Sequence, residues 1–306
     1  MDLIPVAAVI CAGIVFGHAS PPPANDSCQA KMTEFPLEPG SKCCSHGSGP
    51  KTLGDKYMAH IDQHPWAALI DYDLKKGNSK RLCSGTLISG KYILTAAHCV
   101  TGPVMDLGKP THVRLGDHDY NHEGPDCVSV QGGGEDCSEG AIRIEIETII
   151  PHPEYDLKKR RHDICLIKLK EAAPYTDFIR PICLPTTNPE TNPPDHSLYA
   201  VSWYMDSIKK LYEAPFVNQE KCQAIYSEPG RKVDLGQGQL CAGGLEGKDS
   251  CKGDGGGALV YENKEGLAEL TGIVSFGPNP CGRKDLPSIY TNVFEYLDWI
   301  KNKIVA

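Results

Sequence analysis

"CSGTLISGKYILTAAHC", residues 83–99, sets two short apolar runs either side of Ser89-Gly90 and ends with a histidine between Ala97 and Cys99. Turn residues between two such runs read as strand, turn, strand. The same grammar continues along the chain. "IRIEIETII" at 142–150 alternates with period two, and "HDICLIKL" at 162–169, "SLYAVSWY" at 197–204 and "LTGIVSFG" at 270–277 follow with loops between them. Only "NVFEYLDWIKNKI" at 292–304 has a helical period, with Val293, Leu297, Ile300 and Ile304 on one face. No repeat recurs at solenoid spacing. The expectation is an all-β barrel or sandwich domain closed by a C-terminal helix.

Composition agrees with that class. The chain has 306 residues, 31 of them Gly and 24 Pro, with 23% charged, which suits one large loop-rich domain with a sizeable core plus a short extension. The net charge is −8 and the basic residues form no stripe, apart from "LKKRRH" at 157–162, which reads as a solvated loop rather than a polyanion site. Nucleic acid is therefore excluded as a partner.

Residues 1–19 read as a secretory signal: "LIPVAAVICAGIVFGHAS" ends in small residues, with cleavage expected near Ala19 or Ser20. A membrane span needs about 20 apolar residues, and His18 followed by "PPP" ends the run early, so no span is expected. The mature chain is then secreted and extracellular, where its cysteines oxidise. Residues 20–51 are rich in Pro, Gly, Ser and Lys and read as a linker or a small disulfide-stapled extension. They carry the chain's one glycosylation sequon, at Asn25. Residues 52–306 form the main domain.

Three polar residues stand where a plain core would avoid them: His98 after "LTAA", Asp163 at the start of "DICLIKL", and Asp254 among glycines. A carboxylate beside a histidine fixes its tautomer and stabilises the imidazolium, which is how a general base is made.

Together with their order, "LTAAHC", "DICLIKL", "QLCAGG", "DSCKGDGGGAL" and "IVSFG" followed by "PSIYTNV" resemble the signature set of the chymotrypsin/trypsin-like serine proteases, over roughly residues 52–306. "GPDCVSVQGGGEDC", "IIPHPEYD" and "RPICLP" are most similar to the arthropod clip-domain proteases and their non-catalytic homologues. The resemblance implies two six-stranded antiparallel β-barrels with a cleft between them. It gives His98 the role of general base and Asp163 that of its orienting acid. The family's nucleophilic serine falls on Gly255, which has no atom to form an acyl-enzyme. Neither Cys251, expected in a disulfide, nor Ser250 or Ser275, expected in the pocket, replaces it.

In the specificity pocket Asp249 matches the carboxylate that holds Arg or Lys, and Ser275, Phe276 and Gly277 match a wall. Ser288 replaces a glycine on the opposite wall and narrows the space. Activation in this family is cleavage after a basic residue; Lys51 stands at that place, with Thr52 as the new terminus and Asp254 as its buried partner. Gly253 and residue 255 would offer oxyanion amides. "VSWY" stands where the family has Gly-Trp-Gly.

The resemblance pairs Cys83–Cys99, Cys127–Cys137, Cys222–Cys241 and Cys251–Cys281, and ties Cys183 to one of Cys28, Cys43 or Cys44. Cys165 is left as a buried free thiol. A full clip domain has six cysteines and this extension has three, so it is a clip remnant. No cofactor or metal is expected. The resulting expectation is a secreted pseudoprotease that binds extracellular cascade proteins: proteases, their substrates or inhibitors. An active trypsin-like endopeptidase would require serine at 255, and a scaffold or adhesion protein would ignore the cleft.

Overall fold

The structure, a computed structural model, describes residues 28, 35, 36, 41, 43, 44, 52 and 53, then 58–305 apart from 76, 130–132, 197, 204–206, 229–232 and 264–265. Residues 1–19, read above as a signal, together with Asn25 and Lys51, lie outside the described residues.

Six strands close into a barrel: β3 (Ala67–Leu74), β4 (Ser79–Leu87), β5 (Tyr92–Thr95), β6 (Gly108–Leu115), β9 (Ile142–Pro151) and β10 (Cys165–Leu169). A small hairpin of β7 (Cys127–Ser129) and β8 (Glu135–Cys137) sits between β6 and β9 in the chain. "CLIKL" has four of its five residues buried because its outward face, unlike that of a lone barrel, is covered by the rest of the protein. Strand β9 alternates as its sequence does, with Arg143, Glu145 and Glu147 exposed and Ile144 buried.

The second half is a curled antiparallel sheet rather than a closed six-stranded barrel. Its order is β1 (Thr52–Leu53), β2 (Met58–Ala59), β12 (Lys210–Ala214), β11 (Leu198–Ser202), β15 (Ala258–Glu262), β16 (Ala268–Phe276), β17 (Pro287–Asn292), β14 (Gln239–Gly243) and β13 (Phe216–Val217). Both ends, β1 and β13, are two-residue strands, and the sheet order does not join them to each other. Within residues 58–305 the described α-helices are short: α1 (Val104–Leu107), α2 (Gln219–Tyr226) and α3 (Leu297–Val305). Asn292 caps the 3-10 turn before α3 by accepting from the Phe294 amide. Val293, Ile300 and Ile304 then enter the same apolar cluster as Leu166 and Ile167 of the barrel, so the C-terminus is held to the first half. Among the described residues no helix is long and apolar enough to cross a membrane.

Six disulfides are present: Cys83–Cys99, Cys127–Cys137, Cys222–Cys241, Cys251–Cys281, Cys28–Cys43 and Cys44–Cys183. Cys165 is a buried thiol whose pKa burial pushes far above the usual range, so it is inert. Because Cys44–Cys183 joins the extension to the main domain across 139 residues, a chain cut after Lys51 should remain one species without reductant. Two fragments should appear on a gel after reduction, or without it in a Cys44→Ser, Cys183→Ser variant. Separation of the wild-type fragments without reductant would show that the bond does not form.

Candidate functional site

Strand register builds the site. Cys165 of β10 faces Thr95 of β5 in antiparallel pairing, so the residues just before β10 lie beside those just after β5. That brings Asp163, two residues ahead of β10 rather than its first residue, against the 3-10 turn Ala97–Cys99 that carries His98. The Cys83–Cys99 disulfide anchors the turn to β4. Asp163 is 2% exposed and accepts from the His98 amide at 2.8 Å, from His98 Nδ1 at 2.8 Å and from Ser275 Oγ at 2.5 Å. An imidazole held this way can take a proton at Nε2.

What faces Nε2 is residue 255. Its carbonyl accepts from the Ser84 amide at 2.8 Å, while Gly256 and Gly257 exchange hydrogen bonds with Val274 at 2.8 and 2.9 Å, so the turn is clamped between the two halves. Gly256 has φ +83°, and a Cβ there would lie 2.1 Å from Thr95 Oγ1, so only glycine fits. At Gly255 a Cβ would lie 2.5 Å from His98 Nε2 and 3.0 Å from Cε1. The imidazole stands in the space that a side chain at 255 would need.

Ser275, expected on the pocket wall, lines the cleft but directs its hydroxyl to Asp163. The cleft has a volume of about 670 Å³ and includes His98, Gly253, Gly255, Phe276 and Gly277. Asp249 and Ser288 are not among its lining residues. Ser288 Oγ donates to Asp249 Oδ1 at 2.7 Å and the Gly282 amide to Oδ2 at 3.1 Å. Burial raises the Asp249 pKa and these hydrogen bonds oppose the rise. The Ser288 hydroxyl also lies only 2.2 Å from where a Cβ on Gly277 would be, so it fills the gap between the two walls.

Asp254 is likewise satisfied from within. It is 1% exposed and accepts from Ser202 Oγ at 2.5 Å, the Cys251 amide at 2.8 Å and the Trp203 amide at 3.0 Å. Thr52, its expected partner after cleavage, instead pairs with Ala59 in the β1–β2 hairpin. Sequence reasoning missed the Ser202 contact, although "VSWY" had marked the place as unusual. "LKKRRH", read as a solvated loop, is exposed over 157–160, and its Leu157 and Arg160 also line the cleft, the Arg160 guanidinium 4.7 Å from the centre of the Phe276 ring.

Two antiparallel β units meeting on a partly exposed histidine held by a buried aspartate, with a glycine-bracketed turn closed against it, define the trypsin-like serine protease fold. The chain belongs to the Trypsin family, whose model matches residues 53–300. It is 46% identical to the phenoloxidase-activating enzyme of Bombyx mori over 91% of this chain and 66% of that protein. It is 40% identical to CLIP domain-containing serine protease B8 of Anopheles gambiae over 80% and 64%, and 36% identical to Melanization protease 1 of Drosophila melanogaster over 94% and 74%. The crystal structure of the Drosophila Grass clip serine protease of the Toll pathway superposes with a TM-score of 0.74 and 29% identity, covering 92% of this chain and 79% of that one. The chain thus spans about two thirds of the length of the first two curated relatives.

Burial raises the Asp254 pKa to about 6, against hydrogen bonds that lower it, that of Ser202 first. A carboxyl raised in the folded state is most favourable when protonated, so its ionisation weakens the fold as pH rises from about 4 through about 6 and the loss is complete above. Ser202→Ala removes the donor that most favours the ionised form. It should cost roughly 2 kcal/mol at about pH 8, where a buried carboxylate loses a hydrogen bond, and under about 1 kcal/mol at about pH 5. Urea unfolding at the two values measures this; an equal cost at both would remove Asp254 ionisation from the account.

Proposed function

We propose that this chain is a secreted, non-catalytic member of the trypsin family that binds extracellular proteins of a protease cascade as cofactor, adaptor or decoy. The single observation that carries the reading is the site at 255: no side chain is present, and His98 Nε2 lies 2.5 Å from the position a Cβ would take. Loss of a triad nucleophile costs around a millionfold in turnover in a comparable protease. The internally bonded Asp249 and Asp254 support the same reading, because capture of a basic side chain and capture of a new ammonium would each need a carboxylate still open to a cation. The names of the insect relatives, a phenoloxidase-activating enzyme and a melanization protease, suggest the melanisation cascade of innate immunity as the setting. The six disulfides suit secretion. In this reading His98 and Asp163 are a remnant base and orienter, and Gly253 and Gly255 line an unused oxyanion site.

The purified protein, intact or cut after Lys51, should not hydrolyse Arg or Lys esters and should take up no serine-directed phosphonate. Stoichiometric labelling of any cleft residue would overturn the proposal. Gly255→Ser should not restore trypsin-like turnover by itself. The His98 ring must first move aside, Ser288 still closes the basic-residue pocket, and each kcal/mol of misplacement is about a fivefold loss in rate. Turnover of an Arg ester within roughly tenfold of ordinary trypsin-like enzymes would show that glycine at 255 is the sole lesion.

A further inference from the structure

The charged groups lining the cleft are Arg160, Lys252 and the buried Asp163, and they differ in their commitments. Asp163 is 2% exposed and saturated by His98 and Ser275. Arg160 and Lys252 are exposed, and neither pairs with a carboxylate among the described residues. Asp249 and Asp254, the other acidic groups of this region, turn their oxygens to Ser288, Gly282, Ser202, Cys251 and Trp203. In a chain of net charge −8, the cleft presents unpaired positive charge.

The basic loop is built rather than loose. Asp156 Oδ1 accepts from the amides of Lys158 and Lys159 at 2.9 and 3.0 Å, and Asp156 pairs with Arg161 in an isolated bridge. Arg161 is anchored to Asp234 at 2.8 Å, and the Arg160 carbonyl accepts from Gln239 Nε2 at 3.0 Å. Arg160 itself has φ +52°, a left-handed conformation uncommon for a side-chain-bearing residue. These restraints hold its guanidinium over the Phe276 ring. A guanidinium stacked on an aromatic face has already lost much of its rotamer freedom and keeps its planar donor fork for a carboxylate. Beside it Leu157 is 47% exposed and gives the rim an apolar contact.

We infer that the cleft takes an extended, acidic segment of a partner protein, with a Glu or Asp carboxylate on Arg160 and further acidic side chains toward Lys252. This inverts the charge preference that Asp249 would give an open pocket. The inference rests on the reading of the cleft as the working surface and adds the chemical class of what it receives.

The test uses the intact protein and three short, end-blocked fluorescent peptides of alternating residues: Glu-Ala, Gln-Ala and Lys-Ala. Anisotropy titrations should show the Glu-Ala peptide binding at least roughly tenfold tighter than Gln-Ala, with Lys-Ala weakest. The difference should shrink between about 50 and about 200 mM salt. Arg160→Glu should abolish the preference and Arg160→Glu with Lys252→Glu should reverse it, while thermal melts of these exposed-site variants stay within a few degrees of wild type. A preference for Lys-Ala, or a Glu-Ala affinity unmoved by the double reversal, would overturn the inference. So would tighter binding of dextran sulfate that depends on Lys158 and Lys159 but not on Arg160 and Lys252, which would make the loop a polyanion site. Capture of partners from the source's extracellular fluid separates the two readings. If Leu157→Trp, which enlarges an exposed residue on the cleft rim and should leave the thermal melt within a few degrees, abolishes capture while the charge reversals do not, cleft binding stands and the acidic class falls; if neither changes capture, both fall.

Discussion

A single buried carboxylate holds the two halves of this protein in register. Asp163 reaches the first half through its own strand and the His98 turn, and the second through Ser275 of β16. Its backbone carbonyl also accepts from Thr291 Oγ1 of β17 at 2.7 Å. A charge this deep is tolerable only when its lone pairs are met, and here the donors come from both β units. The relative placement of the units, and hence the shape of the cleft, follows from satisfying that one group. The Gly255 turn seals the same seam, with Ser84 on one side and Val274 on the other.

Around that seam three positions share one physical pattern. Glycine at 255 leaves the space of a side chain to the His98 ring, Ser288 donates to Asp249, and Ser202 donates to Asp254. In each case the position is met from inside the fold, by the His98 ring or by a serine hydroxyl. Serine suits the task because its hydroxyl is small, always protonated and able to satisfy a buried carboxylate without bringing in a second charge. In the uncut chain the Asp254 environment is already closed while Thr52 pairs with Ala59 in the β1–β2 hairpin.

Much of this architecture was legible in the residues. Period-two alternation located β9, the Ser89-Gly90 turn separated β4 from β5, and the helical stripe of Val293, Ile300 and Ile304 identified the C-terminal packing face. These are local signals, fixed by where a side chain points along one element. The contacts that give the cleft its character are not local. Ser202 and Asp254 are 52 residues apart, Ser288 and Asp249 are 39 apart, and nothing in either neighbourhood announces the hydrogen bond. The open, curled form of the second unit was also invisible, because its two ends are strands of only two residues, too short to carry a pattern. The loop at 157–162 reads as an ordinary solvated turn until the fold lays Arg160 over Phe276.

Retention of His98 and Asp163 beside a glycine can be understood without catalysis. Removing the imidazole would strip the 2%-exposed Asp163 of one of its three side-chain and backbone donors, and losing a hydrogen bond to a buried carboxylate typically costs about 1.5–3 kcal/mol. That is a large fraction of the stability of a typical domain. Glycine at 255 carries no such penalty, because it lines the cleft and the His98 ring stands in the space a side chain would take. Relaxed demand for chemistry would therefore erode the nucleophile first and leave the pair. By the same logic, an intact His–Asp pair is evidence about how the two halves are joined.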